Sequence, residues 1–164
     1  MDTMERLTSL GLTLPEPPEP AGSYTRAVCT GNLIFVSGQL PVSDGKIAFS
    51  GTVGDNLTVD EGYNACQLCA LNALSILSSE SGSLNNVTQI VRLTGYIRSH
   101  SGFSDQAKVL NGASDLMFNI FGGKGIHARV AVGVTELPLN SAVELEVIAE
   151  RAAGEIITSE RIGV

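Results

Sequence analysis

The chain has 164 residues, 43% of them hydrophobic and only 16% charged, with a formal net charge of -7 at neutral pH. That length supports a single domain able to bury roughly two-thirds of its unfolded surface without staples. The acidic balance excludes non-specific grip on phosphate backbones, which needs clustered Lys and Arg, so nucleic acid is not an expected partner.

Met1 to Leu14 has a short helical pattern through Leu7, Leu10 and Leu14, ended by Pro15-Glu16-Pro17-Pro18-Glu19-Pro20. A proline run of this kind is extended and semi-rigid, and it delivers the chain to the first strand without joining a sheet. Residues 1–20 are therefore read as an amino-terminal helix and lead-in, 21–152 as the domain proper, and 153–164 as a carboxy-terminal tail. Tyr24 to Thr30 and Leu33 to Ser37 are β-rich runs around Gly31-Asn32, a hairpin signal, and Asp44-Gly45 predicts a turn before a third strand, Lys46 to Phe49. Thr58-Val59-Asp60-Glu61 is a capping-box pattern that starts a helix. Tyr63, Cys66, Ala70, Ala73 and Leu77 give it an apolar stripe, and Ser78 to Asn86 is read as the loop that closes it. Val87 to Arg98 follows as a long strand. Phe103, Ala107, Leu110, Ser114, Met117 and Phe121 step by three and four along a second helix stopped by Gly122-Gly123. Two strands, Ala128 to Val134 and Ala142 to Ala149, complete the order β-β-β-α-β-α-β-β.

The pattern is α+β, with a mixed sheet of five or six strands. Two helices cover one face of such a sheet and leave the other to pack elsewhere, which, with the sparse surface charge, predicts a homo-oligomer. Three cysteines cannot all pair within one chain, and no secretory leader pattern or bilayer-length apolar run is present, so a reduced, cytoplasmic protein with no membrane partner is expected.

Arg129 stands inside the apolar run Ala128 to Val132, where a fixed positive charge needs a partner. That partner is either Glu144, on the next strand, or a bound anion. Glu144 and Glu146 share one strand face by alternation, so at least one must be solvated, protonated or matched to a cation. Other candidates have structural explanations. Cys66-x-x-Cys69 is half a zinc site without two further ligands of suitable spacing, and its thiols sit near an apolar helix stripe. Gly122-Gly123-Lys124-Gly125 follows a helix, whereas a phosphate cradle must precede one. Ser37 lacks the glycine pattern of a nucleophile elbow. His100 and His127 are read as surface or structural residues.

Taken in order, Gly22-Ser23-Tyr24, Val36-Ser37-Gly38-Gln39-Leu40-Pro41, the Asn111 segment, Ala128-Arg129, Glu136-Leu137-Pro138 and Val143-Glu144-Leu145-Glu146 resemble the Rid family. These are the reactive-intermediate deaminases, also called YjgF-like proteins, some of which carry the older label endoribonuclease L-PSP. The resemblance spans nearly the whole domain. It implies a chorismate-mutase-like fold, assembled as a homotrimer whose sheets form a central barrel, with active sites in clefts between subunits. It further implies that Arg129 clamps a substrate carboxylate, that Glu144 acts on or through a water, and that Tyr24, Ser37, Gly38 and Asn111 line the same cleft. The implied reaction is hydrolysis of an enamine or imine such as 2-aminoacrylate to a 2-keto acid and ammonia, with no cofactor and no metal. A non-catalytic trimer that binds organic acids, and a ribonuclease, are the alternatives. The sequence departs from the archetype at His127-Ala128-Arg129-Val130-Ala131, where Pro-Ala-Arg-Ser-Cys is familiar, and in its longer amino terminus. It resembles a longer branch of the family.

Overall fold

Two capping boxes start two of the helices. Asp2 and Glu5 exchange side-chain and backbone hydrogen bonds at the head of α1 (Thr3–Ser9), and Thr58 and Glu61 do so at the head of α2 (Val59–Ser81). Each box satisfies amides that the first helical turn leaves without partners. The structure is a computed structural model that describes residues 1–154, so all but the first two residues of the expected tail lie outside the described residues. Helix α2 runs through residues 78–81, where the serines predict a loop. Ser81 Oγ bonds back to the Leu77 carbonyl at 2.6 Å, and Gly82, with φ of 78°, supplies the left-handed stop.

The hairpin forms as predicted from β1 (Ala27–Thr30) and β2 (Leu33–Gln39), though β1 begins three residues later than expected. The register with β1 ends at Ala27 and Val36, where β2 bulges against β7 between Val36 and Gln39, and the Ser37 amide makes one further bond to the Arg26 carbonyl at 2.9 Å. The expected third strand is not part of the main sheet. Val42–Ser43 (β3) and Lys46–Ile47 (β4) form their own short ribbon, since the second edge of β2 is taken by the last strand, β7 (Val143–Arg151).

With β5 (Val87–Arg98) and β6 (Ala128–Val134), the main sheet has the order β1-β2-β7-β5-β6, parallel only between β5 and β6. On β7 the residues Val143, Leu145, Val147 and Ala149 are buried against the helices, and α2 and α3 (Gln106–Phe121) pack on that face. Leu7 of α1 enters the same core at 2% exposure. The opposite face carries Val28, Phe35, Val130 and Val132, all exposed, together with Arg92, Tyr96 and Glu146. Burying a side chain of this size is worth about 1.5–3 kcal/mol, a gain that these four residues forgo on this face of the single chain.

The two long helices meet where α3 has no side chain. A Cβ at Gly112 would overlap the Tyr63 carbonyl of α2, a backbone atom that cannot swing aside. Replacing Gly112 with Ala therefore forces the helices apart, and the expected loss is about 1–3 kcal/mol despite the better helix propensity of Ala. Urea denaturation of Gly112→Ala checks this, and an unchanged midpoint would contradict it.

Candidate functional site

Arg129 lies on the edge strand β6, in register with Leu93 of β5, so its side chain rises on the helix-covered face toward α3. There Nη1 donates to Asn111 Oδ1 at 2.8 Å and to Ser114 Oγ at 3.0 Å, while Nη2 donates to the Ala107 carbonyl at 3.3 Å. Asn111 and Ser114 are three residues apart on one helix face, which is why both reach the same nitrogen. Two N–H groups of the guanidinium keep no partner among the described residues, a fork suited to a carboxylate.

His127 stands behind this clamp. Its Nδ1 lies 2.6 Å from the Gly125 carbonyl, which can only accept, so Nδ1 carries the proton. Nε2 then accepts from the Ser114 hydroxyl at 2.9 Å, which turns the Ser114 lone pairs toward Arg129. The sequence reading misplaced Ser114 in the apolar stripe of its helix and left His127 without a role. Neither is a hydrophobic contact, and the spacing of Asn111 and Ser114 on one face was the available signal.

Glu144 belongs to a second group. It pairs with Tyr96 on β5 and points to the open face, half-buried. Gly38, in the β2 bulge, faces it so closely that a Cβ there would overlap the carboxylate. Burial, and then the negative charge of Glu146, push the Glu144 carboxyl above its ordinary range. Ser37 beside Gly38 donates its hydroxyl to the Thr25 carbonyl at 2.6 Å, which holds the bulge against the segment carrying Tyr24. Tyr24 is 54% exposed and accepts from the Ala21 amide through its hydroxyl at 3.2 Å.

Within one chain, then, the six candidate residues fall into two clusters, Asn111 with Arg129, and Tyr24, Ser37, Gly38 with Glu144. Of the two partners left open for Arg129, Glu144 is not the one realised among the described residues. β5 lies between β6 and β7, and residues three apart on β5, Leu93 and Tyr96, set the two side chains on opposite faces of the sheet. Cys66 and Cys69 are core residues of α2, with burial pushing the Cys66 thiol up to about 12. The Gly122–Gly125 turn caps α3 and leads into β6.

The fold is α+β, with a hydrogen-bonded guanidinium at Arg129 and, separate from it, a carboxyl at Glu144 raised above its ordinary range. The family described as "YjgF/chorismate mutase-like, putative endoribonuclease" matches residues 4–151, and the chain belongs to it. It is 42% identical to the protein TCP17 of Trypanosoma cruzi over 145 residues, 88% of this chain and 91% of that one. It is 27% identical to the 2-iminobutanoate/2-iminopropanoate deaminase of Dermatophagoides farinae over 138 residues, 84% of this chain and 92% of that one. The crystal structure of Atu1372 from Agrobacterium tumefaciens superposes with a TM-score of 0.85 at 39% identity, covering 92% of both chains.

The raised carboxyl has a thermodynamic signature. The folded protein holds the Glu144 proton to higher pH than the unfolded chain does, so the native state binds more protons in the window between the two values. Stability contributed by this group is full below the ordinary carboxylate range and falls as pH rises through that window. Glu144→Gln removes the effect, and its stability relative to wild type is expected to improve as pH rises above the ordinary glutamate value of about 4.3 and then level off. Denaturation midpoints across that range test it, and a constant difference would contradict it. Likewise His127→Ala leaves the Ser114 hydroxyl without this acceptor and is expected to cost about 0.5–1.5 kcal/mol of stability, the net worth of one hydrogen bond. Urea denaturation measures it, and an unchanged midpoint would remove His127 from this network.

Proposed function

We propose that the chain hydrolyses small 2-imino acids, and the enamines that tautomerise to them, to 2-keto acids and ammonia. The observation that carries this reading is Arg129, held by Asn111 and Ser114 with part of its fork left open. Charge-assisted bonds from such a fork to a substrate carboxylate contribute about 1.5–3 kcal/mol. Glu144, whose raised pKa suits proton exchange nearer neutrality, takes the other role. A water attacks the imine carbon, its oxygen bonding to that carbon and one proton passing to the Glu144 carboxylate. That proton passes to the nitrogen to give a carbinolamine; Glu144 then takes the remaining hydroxyl proton and hands it to the nitrogen as the carbon–nitrogen bond breaks, so that ammonia leaves and the carbonyl forms. An enamine first takes a proton on its terminal carbon.

Because one chain separates the two clusters, the site is read as completed between copies, Arg129 of one meeting Glu144 of the next. The exposed Val28, Phe35, Val130 and Val132 supply an apolar face for that assembly, which we take to be a trimer. A relative bearing the name of an imine deaminase supports the chemistry. The endoribonuclease in the family description is disfavoured for this chain by its net charge of -7, since RNA binding without basic clusters lacks its main electrostatic term.

The test generates an imine in place with an amino-acid oxidase, traps it with semicarbazide, and follows keto acid release with and without the protein. Acceleration is expected in wild type, with a loss of at least about a hundredfold in Arg129→Ala and Glu144→Gln, the scale of one acid–base group. Ligand binding through Arg129 with no acceleration would instead assign a non-catalytic organic-acid receptor. Light scattering is expected to give a three-chain particle for wild type and smaller species for Phe35→Asp.

A further inference from the structure

A cavity of about 740 Å³ adjoins the Glu144 cluster, with Tyr24 and Gly38 lining both. Pro15, Pro17 and Pro18 wall one side, and Leu68 and Leu71 of α2 the other. Cavities of roughly 300–1,000 Å³ enclose drug-sized ligands, far more than the head of a three-carbon imino acid needs.

Its polar lining is one-sided. Asn72, 1% exposed, donates its amide nitrogen to the Leu40 and Val42 carbonyls at 3.1 and 3.0 Å. Gln39, 8% exposed, donates likewise to Ser37 and Gly38 at 2.9 and 3.4 Å. Both amide groups are thereby fixed with their nitrogens on backbone, and their oxygens, which find no donor among the described residues, remain as acceptors. Of the charged groups lining the cavity, Arg26 is matched to Glu19, a pair that also fastens the proline run to the approach of β1. Glu16 and Asp44 have no cation within ion-pair distance among the described residues.

We infer that this cavity receives the substrate's side chain, and that the side chain it fits has an apolar stem and a cationic, hydrogen-bond-donating tip. This rests on the imine-hydrolase reading for the head of the molecule and adds the class of its tail. A guanidinium or ammonium tip meets two acceptor oxygens and two carboxylates, whereas a carboxylate tip meets lone pairs and like charge. The prolines and leucines cover the stem.

Four keto acids titrated calorimetrically into the full chain test the inference directly: pyruvate, 4-methyl-2-oxopentanoate, 5-guanidino-2-oxopentanoate and 2-oxoglutarate. The guanidino compound is expected to bind at least about tenfold tighter than pyruvate, with 2-oxoglutarate the weakest. The double variant Glu16→Gln and Asp44→Asn, both at exposed positions, is expected to remove most of that preference and leave pyruvate unchanged; Asn suits the positive φ of 50° at Asp44. Leu71→Trp, which fills the cavity, is expected to lose the long ligands alone. Equal affinity for all four, tightest binding of 2-oxoglutarate, or variants that leave the order intact would overturn the inference while imine hydrolysis, measured separately, stands or falls by itself. No keto acid binding would overturn the inference, and no imine turnover in addition would overturn the hydrolase reading with it.

Discussion

Strand β5 separates β6 from β7, and most of what this protein can do depends on that insertion. Had β6 paired with β7, Arg129 and Glu144 could have met as an ion pair and neutralised each other. With one strand between them and opposite pleat positions, the guanidinium is driven onto α3 and the carboxyl onto the open face. Each keeps spare capacity. Arg129 retains part of its fork, and the Glu144 carboxyl is pushed above its ordinary range by burial and by Glu146.

The helices make that division mechanically firm. α2 and α3 approach closely through Gly112, and the buried edge of β7 packs beneath them, so the α3 face that carries Asn111 and Ser114 is fixed relative to β6. His127 then settles the hydroxyl of Ser114 through its ring tautomer. The clamp on Arg129 is thus a chain of directional bonds built on a rigid helix, which is how a charged side chain at a sheet edge is held in one geometry.

On the other side of the sheet lies the bulge in β2. β1 stops beside it at Ala27, with the Ser37 amide still reaching the Arg26 carbonyl, and the bulge brings the bare backbone of Gly38 against Glu144. The proline run returns over the same region and is fastened by Glu19 to Arg26, walling a cavity that no strand pairing would have produced. The one extra residue in β2 thus sets the contact between Gly38 and Glu144 that borders this cavity.

Much of the fold is local and was legible in the chain. The box at Thr58 and Glu61, the Gly31-Asn32 hairpin, the helical stepping to Phe121 and the α+β order follow from neighbours within a few residues, and the ordered set of short motifs placed the family. Ser78, Ser79 and Ser81 misled because the helix runs on through them to Gly82, with Ser81 bonding back to the Leu77 carbonyl and the left-handed glycine supplying the stop. Lys46 and Ile47 have strand character, but which strand occupies the edge of β2 is settled by β7, about a hundred residues away in sequence. The candidate residues were named from residue type at Arg129 and Glu144 and from resemblance elsewhere, but their grouping was not legible, because strand order decides which faces meet and alternation alone cannot supply it. Sequence by itself determined most of the elements, the charge balance and the family. Tertiary structure decided that Arg129 answers to Ser114 and His127 while Glu144 answers to Gly38, since long-range pairing, unlike helix or turn propensity, is fixed only when the whole sheet closes.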